Sequence, residues 1–187
     1  MTNPLIDLSA HTGRNYDKGR SIVWQALWHA ASHLVFQKWW FPGRFRPALL
    51  RAFGARVDDG VVIRQDVRIH WPWRLTIEGP AWIGQGASIL NLVDVVIERN
   101  ACVSQEAMLC TGSHDRTDVG FEHANAPIRV GRGAWVCARA VVLPGTTVGD
   151  HAIVGAGAVV RGLVPPSTMV TQPAPARRSD HAKGEIS

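Results

Sequence analysis

Aliphatic side chains recur at every sixth position through the second half of the chain. Val130, Val136, Val142, Val148, Val154 and Val160 hold one register, and four places after each stands a small or β-branched residue: Ala134, Ala140, Thr146, Ala152, Ala158 and Val164. The same beat runs upstream in triplets: Val57, Ile63 and Ile69; Ile77, Ile83 and Ile89; Ile97, Val103 and Leu109. Two extra residues separate each triplet from the next, so three hexads predict one turn of a coil. A longer insertion, residues 115–127, separates Leu109 from Val130.

A period of six specifies a solenoid. A β-sandwich would alternate with period two and space its strands less regularly. Each hexad supplies a short strand and a bend. The aliphatic side chain points inward and stacks on its equivalent one coil away, while the small residue fits the corner. Gly84, Gly131, Gly149 and Gly155 are expected to relieve backbone strain at these corners. The expectation is an all-β solenoid of about five coils. Residues 57–164 form it, with a loop insertion at 115–127. Residues 1–56 form a helical segment that caps or flanks the coil. Residues 165–187 form an irregular, Pro-rich tail, its last dozen residues mobile.

Residues 22–41, "IVWQALWHAASHLVFQKWWF", are apolar and reach the length of a membrane span. Gln25, His29, Ser32, His33, Gln37 and Lys38 interrupt them, which suits an interface or a protein surface better than a bilayer centre. With Arg44, Arg46 and Arg51 following, the segment predicts a Trp-rich amphipathic helix with basic flanks. Peripheral contact with the inner face of a membrane is one expectation. Packing of its tryptophans on the coil is the competing one.

The formal net charge of +5 and pI near 9.7 favour acidic partners. No long Lys/Arg block argues for nucleic acid. Cys102, Cys110 and Cys137 form no CxxC pair and no closed disulfide set, and the start "MTNPLIDLSAH" has no basic run before an apolar stretch. Together these point to a reducing, cytoplasmic setting. The cysteines occupy small-residue positions, so simple packing accounts for them.

The chemistry-bearing stretch is "LCTGSHDRT", Leu109–Thr117, where the beat breaks. His114 ends a hexad and opens the insertion, which sets it at a coil edge beside a loop. A histidine there is either a surface residue capping a turn or a base, since its reference pKa lies near physiological pH. A base needs its other ring nitrogen held. Asp115, Asp118, Glu122 and a backbone carbonyl are all candidates, and Asp115 is equally suited to making a turn. Ser113, His114 and Asp115 are consecutive and do not make a triad. Asn91 and Asp94, one coil away in "ILNLVDVVI", are candidates for hydrogen-bonding a substrate or for turning a solenoid corner. Trp71, Trp73 and Trp82 offer an apolar platform for a ligand's ring, with packing against the N-terminal helix the stronger expectation.

The hexads, the "GSHD" before the insertion and "VGAGAVV" near the end resemble the hexapeptide-repeat acyltransferases. Nearly the whole chain is similar to the subgroup of colanic-acid and related exopolysaccharide biosynthesis, through "KGRS", "LLRAFGA", "PWRLTIEGPAWIG", "SQEAMLCTGSHD", "APIRVGRGAWV" and "ARAVVLPGTTVGDHAIVGAGAVV". The resemblance implies a left-handed parallel β-helix, a homotrimer with its cleft between subunits, and acetyl transfer from acetyl-CoA. The acceptor it implies is a hydroxyl of a saccharide or saccharide-lipid. It also implies that His114 is the general base and that the backbone at Ala138 and Ala156 meets the pantetheine arm. Arg161, Arg177 and Arg178 are candidates for the CoA phosphates. Two other classes fit the same solenoid. A zinc hydrolyase of the carbonic-anhydrase type needs three converging histidines, but His70, His114, His123 and His151 lack its close pair of spacings. A non-catalytic assembly protein would use the coil as a scaffold.

Overall fold

A computed structural model describes residues 6–172; Arg177, Arg178 and the Pro-rich tail beyond residue 172 lie outside the described residues, whereas its first residues form a strand at Met169–Val170 where an irregular tail was expected. Three parallel sheets wrap around one apolar column. The first face holds β1 (Arg56–Val57), β4 (Leu75–Ile77), β7 (Val95–Ile97), β10 (Ile128–Val130), β13 (Thr147–Val148) and β16 (Leu163–Val164). The second holds β2 (Val61–Ile63), β5 (Ala81–Ile83), β8 (Cys102–Val103), β11 (Trp135–Val136), β14 (Ile153–Val154) and β17 (Met169–Val170). The third holds β3 (Arg68–Ile69), β6 (Ser88–Leu90), β9 (Met108–Cys110), β12 (Val141–Val142) and β15 (Val159–Val160). This is the parallel solenoid that the hexads predict. It has five complete coils and two strands of a sixth.

The register explains the beat. Ile77 pairs with Val57 below and Ile97 above, and Ile97 pairs with Val130, so equivalent aliphatics stack along each face. All three sets run inward and are buried. The corner glycines act by closeness. A Cβ on Gly84 would lie 2.6 Å from the backbone of Ser104 and Gln105, and one on Gly149 would lie 2.6 Å from Pro166 N. Positive φ falls two residues later in each coil. Asp66, Gly86, Glu106, Arg139 and Gly157 occupy that place between the second and third faces.

The edge from the third face to the first is the irregular one. The inward residue before it and the inward residue after it are eight positions apart in the first two coils, at Ile69 to Ile77 and Ile89 to Ile97. The step is 21 positions from Leu109 to Val130, six from Val142 to Val148, and four from Val160 to Val164. Varying lengths of chain therefore leave the coil along one edge only, and loops can carry chemistry there without disturbing the stack.

The first coil is capped by α1 (Ile22–Ala31), a π-helical turn at Ser32–Phe36 and α2 (Arg46–Ala52). Ser21 caps α1 by accepting the Trp24 amide. The expected helix to residue 41 ends early, its last helical turn closing at Phe36. Trp28 and Phe36 are fully buried, and Trp28 Nε1 donates to Ile69 O at 3.0 Å. Arg46 is also buried and ties the cap together, donating to Phe36 O at 3.0 Å and Lys38 O at 2.8 Å.

Candidate active site

Beyond β9 the chain leaves the coil as a flattened arm. Ala126 N donates to Thr111 O, Ala124 N to Ser113 O and Asp115 N to Glu122 O, so its two sides run antiparallel with His114 opposite His123. The tip is made of short turns. Asp115 Oδ1 accepts from Thr117 N and Oγ1, and Asp118 Oδ1 accepts from Gly120 N. Asp115 is thus spent on a turn, and those bonds hold its carboxyl below the ordinary carboxylate range.

His114 Nδ1 lies 2.7 Å from Phe121 O. A carbonyl only accepts, so Nδ1 carries the proton and the neutral ring keeps its lone pair on Nε2. Of the four candidates for holding the ring, the backbone carbonyl is the one that does so. The imidazole also stacks on the Phe121 ring at 4.4 Å with 6° between planes, and on His123 at 4.9 Å. Orientation and tautomer are therefore both set, and Nε2 has no protein partner among the described residues.

A strap from the N-terminus crosses the arm, which no local pattern in the sequence signals. Asp7 N donates to Val119 O, and His11 Nδ1 lies 3.0 Å from Gly120 O. Glu122 Oε1 accepts from Thr12 N at 2.6 Å and Thr12 Oγ1 at 2.7 Å; Oε2 accepts from Gly13 N at 3.1 Å. These donors lower the Glu122 pKa. Asn15 Nδ2 donates to His123 O, and the Tyr16 ring lies 5.1 Å from that of His123. Burial, then the neighbouring His114 and His11, push His123 downward, which favours its neutral form.

Beside the arm, Asn15, Tyr16, Asp17, Arg74, Val93 and His123 help line a pocket of about 330 Å³. Arg74 reaches across it. Its Nη2 donates to Asp17 O at 2.7 Å, and its Nη1 lies 3.8 Å from Asp94 Oδ1. Asp94 is exposed at the rim. Asn91 is fully buried: its Oδ1 accepts from Trp71 N and its Nδ2 donates to Trp71 O. It braces the next corner with its whole amide. Trp71 is buried, stacked on Trp73 at 4.7 Å, and donates through Nε1 to Tyr16 Oη. Trp82 instead points outward from the second face.

Ala138 and Ala156 lie one coil apart on a different edge, between the second and third faces, with Gly157 N donating to Ala138 O at 2.9 Å. The column below them is Gln65, Gln85 and Gln105. Gln65 Nε2 donates to Gln85 Oε1, and Arg139 N donates to Gln105 O. Along this column the amides of Gln65, Gln85 and Gln105 give way to methyl groups at Ala138 and Ala156, and an amide returns above them at Gln172, whose Nε2 donates to Gly157 O. Arg161 is exposed on the His114 edge. One chain therefore gathers His114, Asp94 and Arg161 along one edge and Ala138 and Ala156 along another. Among the described residues, no three His, Cys, Asp or Glu side chains converge on a metal-sized site.

A six-residue parallel solenoid is the fold of the hexapeptide-repeat proteins, and the sequence relatives select the transferases among them. The profile described as bacterial transferase hexapeptide (six repeats) matches residues 127–162. A protein of Escherichia coli strain K12, provisionally assigned as the colanic acid biosynthesis acetyltransferase WcaF, is 36% identical over 162 residues, covering 85% of this chain and 88% of its own. The chain belongs to the hexapeptide-repeat acetyltransferases. Among solved structures, a hexapeptide-repeat acetyltransferase of Vibrio cholerae O1 biovar eltor complexed with acetyl-CoA superposes with a TM-score of 0.73 at 20% identity, covering 88% and 91% of the two chains. A maltose O-acetyltransferase of Clostridium difficile 630 superposes with a TM-score of 0.68 at 19% identity, covering 81% and 82%.

Proposed function

We propose that this chain transfers acetyl from acetyl-CoA to a hydroxyl of a saccharide or saccharide-lipid in polysaccharide biosynthesis, by direct transfer with His114 as general base. The observation that carries the reading is the His114 Nδ1 to Phe121 O bond, which leaves Nε2 as the acceptor. In the step, the acceptor hydroxyl gives its proton to Nε2 as its oxygen attacks the thioester carbonyl. The tetrahedral intermediate collapses, the carbon–sulfur bond breaks, and the imidazolium returns the proton to the departing CoA thiolate. The pocket beside His123 suits an uncharged polyol, since Asp17, Asp94 and Arg74 offer both acceptors and donors for hydroxyl groups. Asp94 is the rim residue we assign to the acceptor, and Asn91 supports the corner behind it.

Acetyl-CoA fits the slot at Ala138 and Ala156, where small side chains admit the pantetheine arm to the backbone. Arg161 is the phosphate partner within the described residues, and Arg177 and Arg178 are further candidates outside them. Because that slot and His114 lie on different edges, a complete site needs two chains, and we propose a homotrimer. An apolar ribbon supports it. Val62, Trp82, Cys102, Trp135, Ile153 and Met169 pair in register down the outside of the second face. A ring of chains in head-to-tail contact sets one surface of a chain against a different surface of the next. The enzyme would work in the cytoplasm and meet a lipid-linked acceptor at the inner face of the membrane. The deciding experiment is an acceptor screen with a thiol-release readout. Acetyl-CoA-dependent release with a saccharide supports the reading, and no release with any saccharide or saccharide-lipid contradicts it.

A further inference from the structure

The N-terminal cap is apolar on two sides. Its inner side buries Trp28 and Phe36 against the first coil. Its outer side exposes Val23, Leu27, Ala30 and Leu34, whose spacing of three and four residues sets them on one stripe of the helix. A helix with one buried face ordinarily turns a polar face to water. Trp39 and Trp40 follow, 82% and 54% exposed, and then Phe45 with the Arg44 guanidinium 4.8 Å over its ring.

Charge is concentrated on the same segment. From Arg14 to Arg51 there are seven Lys or Arg residues and one acidic residue, Asp17. The rest of the chain holds thirteen basic and fourteen acidic residues, so residues 14–51, the cap and the stretch leading into it, carry the whole of the net positive charge. Beside Trp39 a groove of about 600 Å³ opens, with Arg44, Arg51 and Arg64 on its walls together with Asp58 and Asp59. Asp59 is already paired with Arg51 at 2.9 Å, whereas Lys38, Arg44 and Arg64 make no ion pair among the described residues.

We propose that this outer face docks on an anionic lipid bilayer, with Leu27, Leu34, Trp39 and Trp40 entering the interface and Lys38, Arg44 and Arg64 meeting the headgroups. Tryptophan and long cationic side chains are the residues that suit the boundary between headgroup and acyl chain. α1 has ten residues and is about 15 Å long, so it lies in the interface and does not cross. No helix among the described residues is long and apolar enough to span a membrane. A second copy of the chain is the poorer occupant, because it would set one basic cap against another. The inference rests on the reading of a saccharide-lipid acceptor, and it gives that acceptor a surface on which to be met.

The test is flotation of the full chain with vesicles of phosphatidylcholine alone and of phosphatidylcholine with phosphatidylglycerol, alongside tryptophan fluorescence. The wild type is expected to float with the anionic vesicles, to shift its emission to the blue, and to be released by salt. Leu34→Ser with Trp39→Ser should weaken vesicle binding by about tenfold or more. That variant should keep its light-scattering mass and its thermal stabilisation by acetyl-CoA, which show that it is folded. Absence of binding by the wild type overturns the proposal. So does unchanged binding by the variant, or a fall in its oligomeric mass, which would give the face to a second copy. Vesicle binding needs no acetyl transfer. A chain that floats but acetylates no saccharide sinks only the enzymatic reading, and one that acetylates a water-soluble saccharide but does not float sinks only this one.

Discussion

His114 is held by the carbonyl of Phe121, seven residues further along the same arm, at 2.7 Å, and its ring lies nearly parallel to the Phe121 ring. A neutral carbonyl fixes the tautomer and the plane without setting a second charge beside the imidazole. The two sides of one antiparallel arm are thereby enough to orient the imidazole. The strap then holds the far side of the arm.

On the proposed mechanism, the strap makes Glu122 a positioning residue. Its carboxylate collects three donors from Thr12 and Gly13, and its own backbone adjoins the carbonyl that holds His114. Glu122→Ala should speed amide hydrogen exchange at Thr12 and Gly13 and lower kcat, with thermal stabilisation by acetyl-CoA retained. Glu122→Gln should recover part of both effects, since one amide oxygen can still accept. Normal kcat in Glu122→Ala, with the strap amides exchanging faster, would show that the strap does not govern the base.

Burial drives the pKa of His70 down from 6.5 to about 4, with His29 and then Lys18 adding to the effect. The folded state therefore favours the neutral ring, whereas the unfolded chain takes up a proton at higher pH. The stability so gained is complete above about pH 6.5 and is lost as pH falls toward 4. His123 shifts in the same direction. Carboxylates held low by hydrogen bonds, such as Glu122 and Asp115, add acid sensitivity only below their ordinary range. Thermal melts from pH 7 to pH 4 should show a shallower fall in Tm for His70→Gln than for the wild type. Parallel curves would remove His70 from this account.

The ribbon on the second face predicts the assembly. Trp82 is 64% exposed one strand in from its lower end, and Met169 stands at its upper end. Trp82→Asp with Met169→Asp should convert a trimer to a monomer by light scattering. The coil should be intact by circular dichroism, because both side chains point away from the core. Activity should fall with the proposed trimer, as the proposed slot and the proposed base lie on different edges. A monomeric variant with full activity would refute the shared site.

The column of the solenoid was legible because stacking repeats every coil. Val130, Val136, Val142, Val148, Val154 and Val160 all reach the core. The sixth coil was not, since the step from Val160 to Val164 shortens to four and breaks the register. Val164 reads as a corner residue by spacing and is an inward strand residue in the structure. His114 was legible as the place where the pattern stops. Its partner was not, because four acceptors stood within reach in sequence and only the arm's pairing selects Phe121 O. The strap left no trace at all. Thr12 meets Glu122 across 110 positions, and a contact of that kind carries no periodicity. Asn91 was ambiguous for a different reason: an amide that binds a ligand and one that binds a neighbouring backbone have the same sequence.

The most direct test is the turnover of His114→Ala. The variant should fold, keep the wild-type oligomer and still be stabilised by acetyl-CoA, since the proposed cofactor slot lies on another edge. With those three properties confirmed, single-turnover kinetics should show kcat lower by about two to four orders of magnitude, the usual share of a general base. A folded variant of unchanged oligomeric state that keeps more than about a tenth of the wild-type kcat would contradict the account and leave His114 as a residue that shapes the arm.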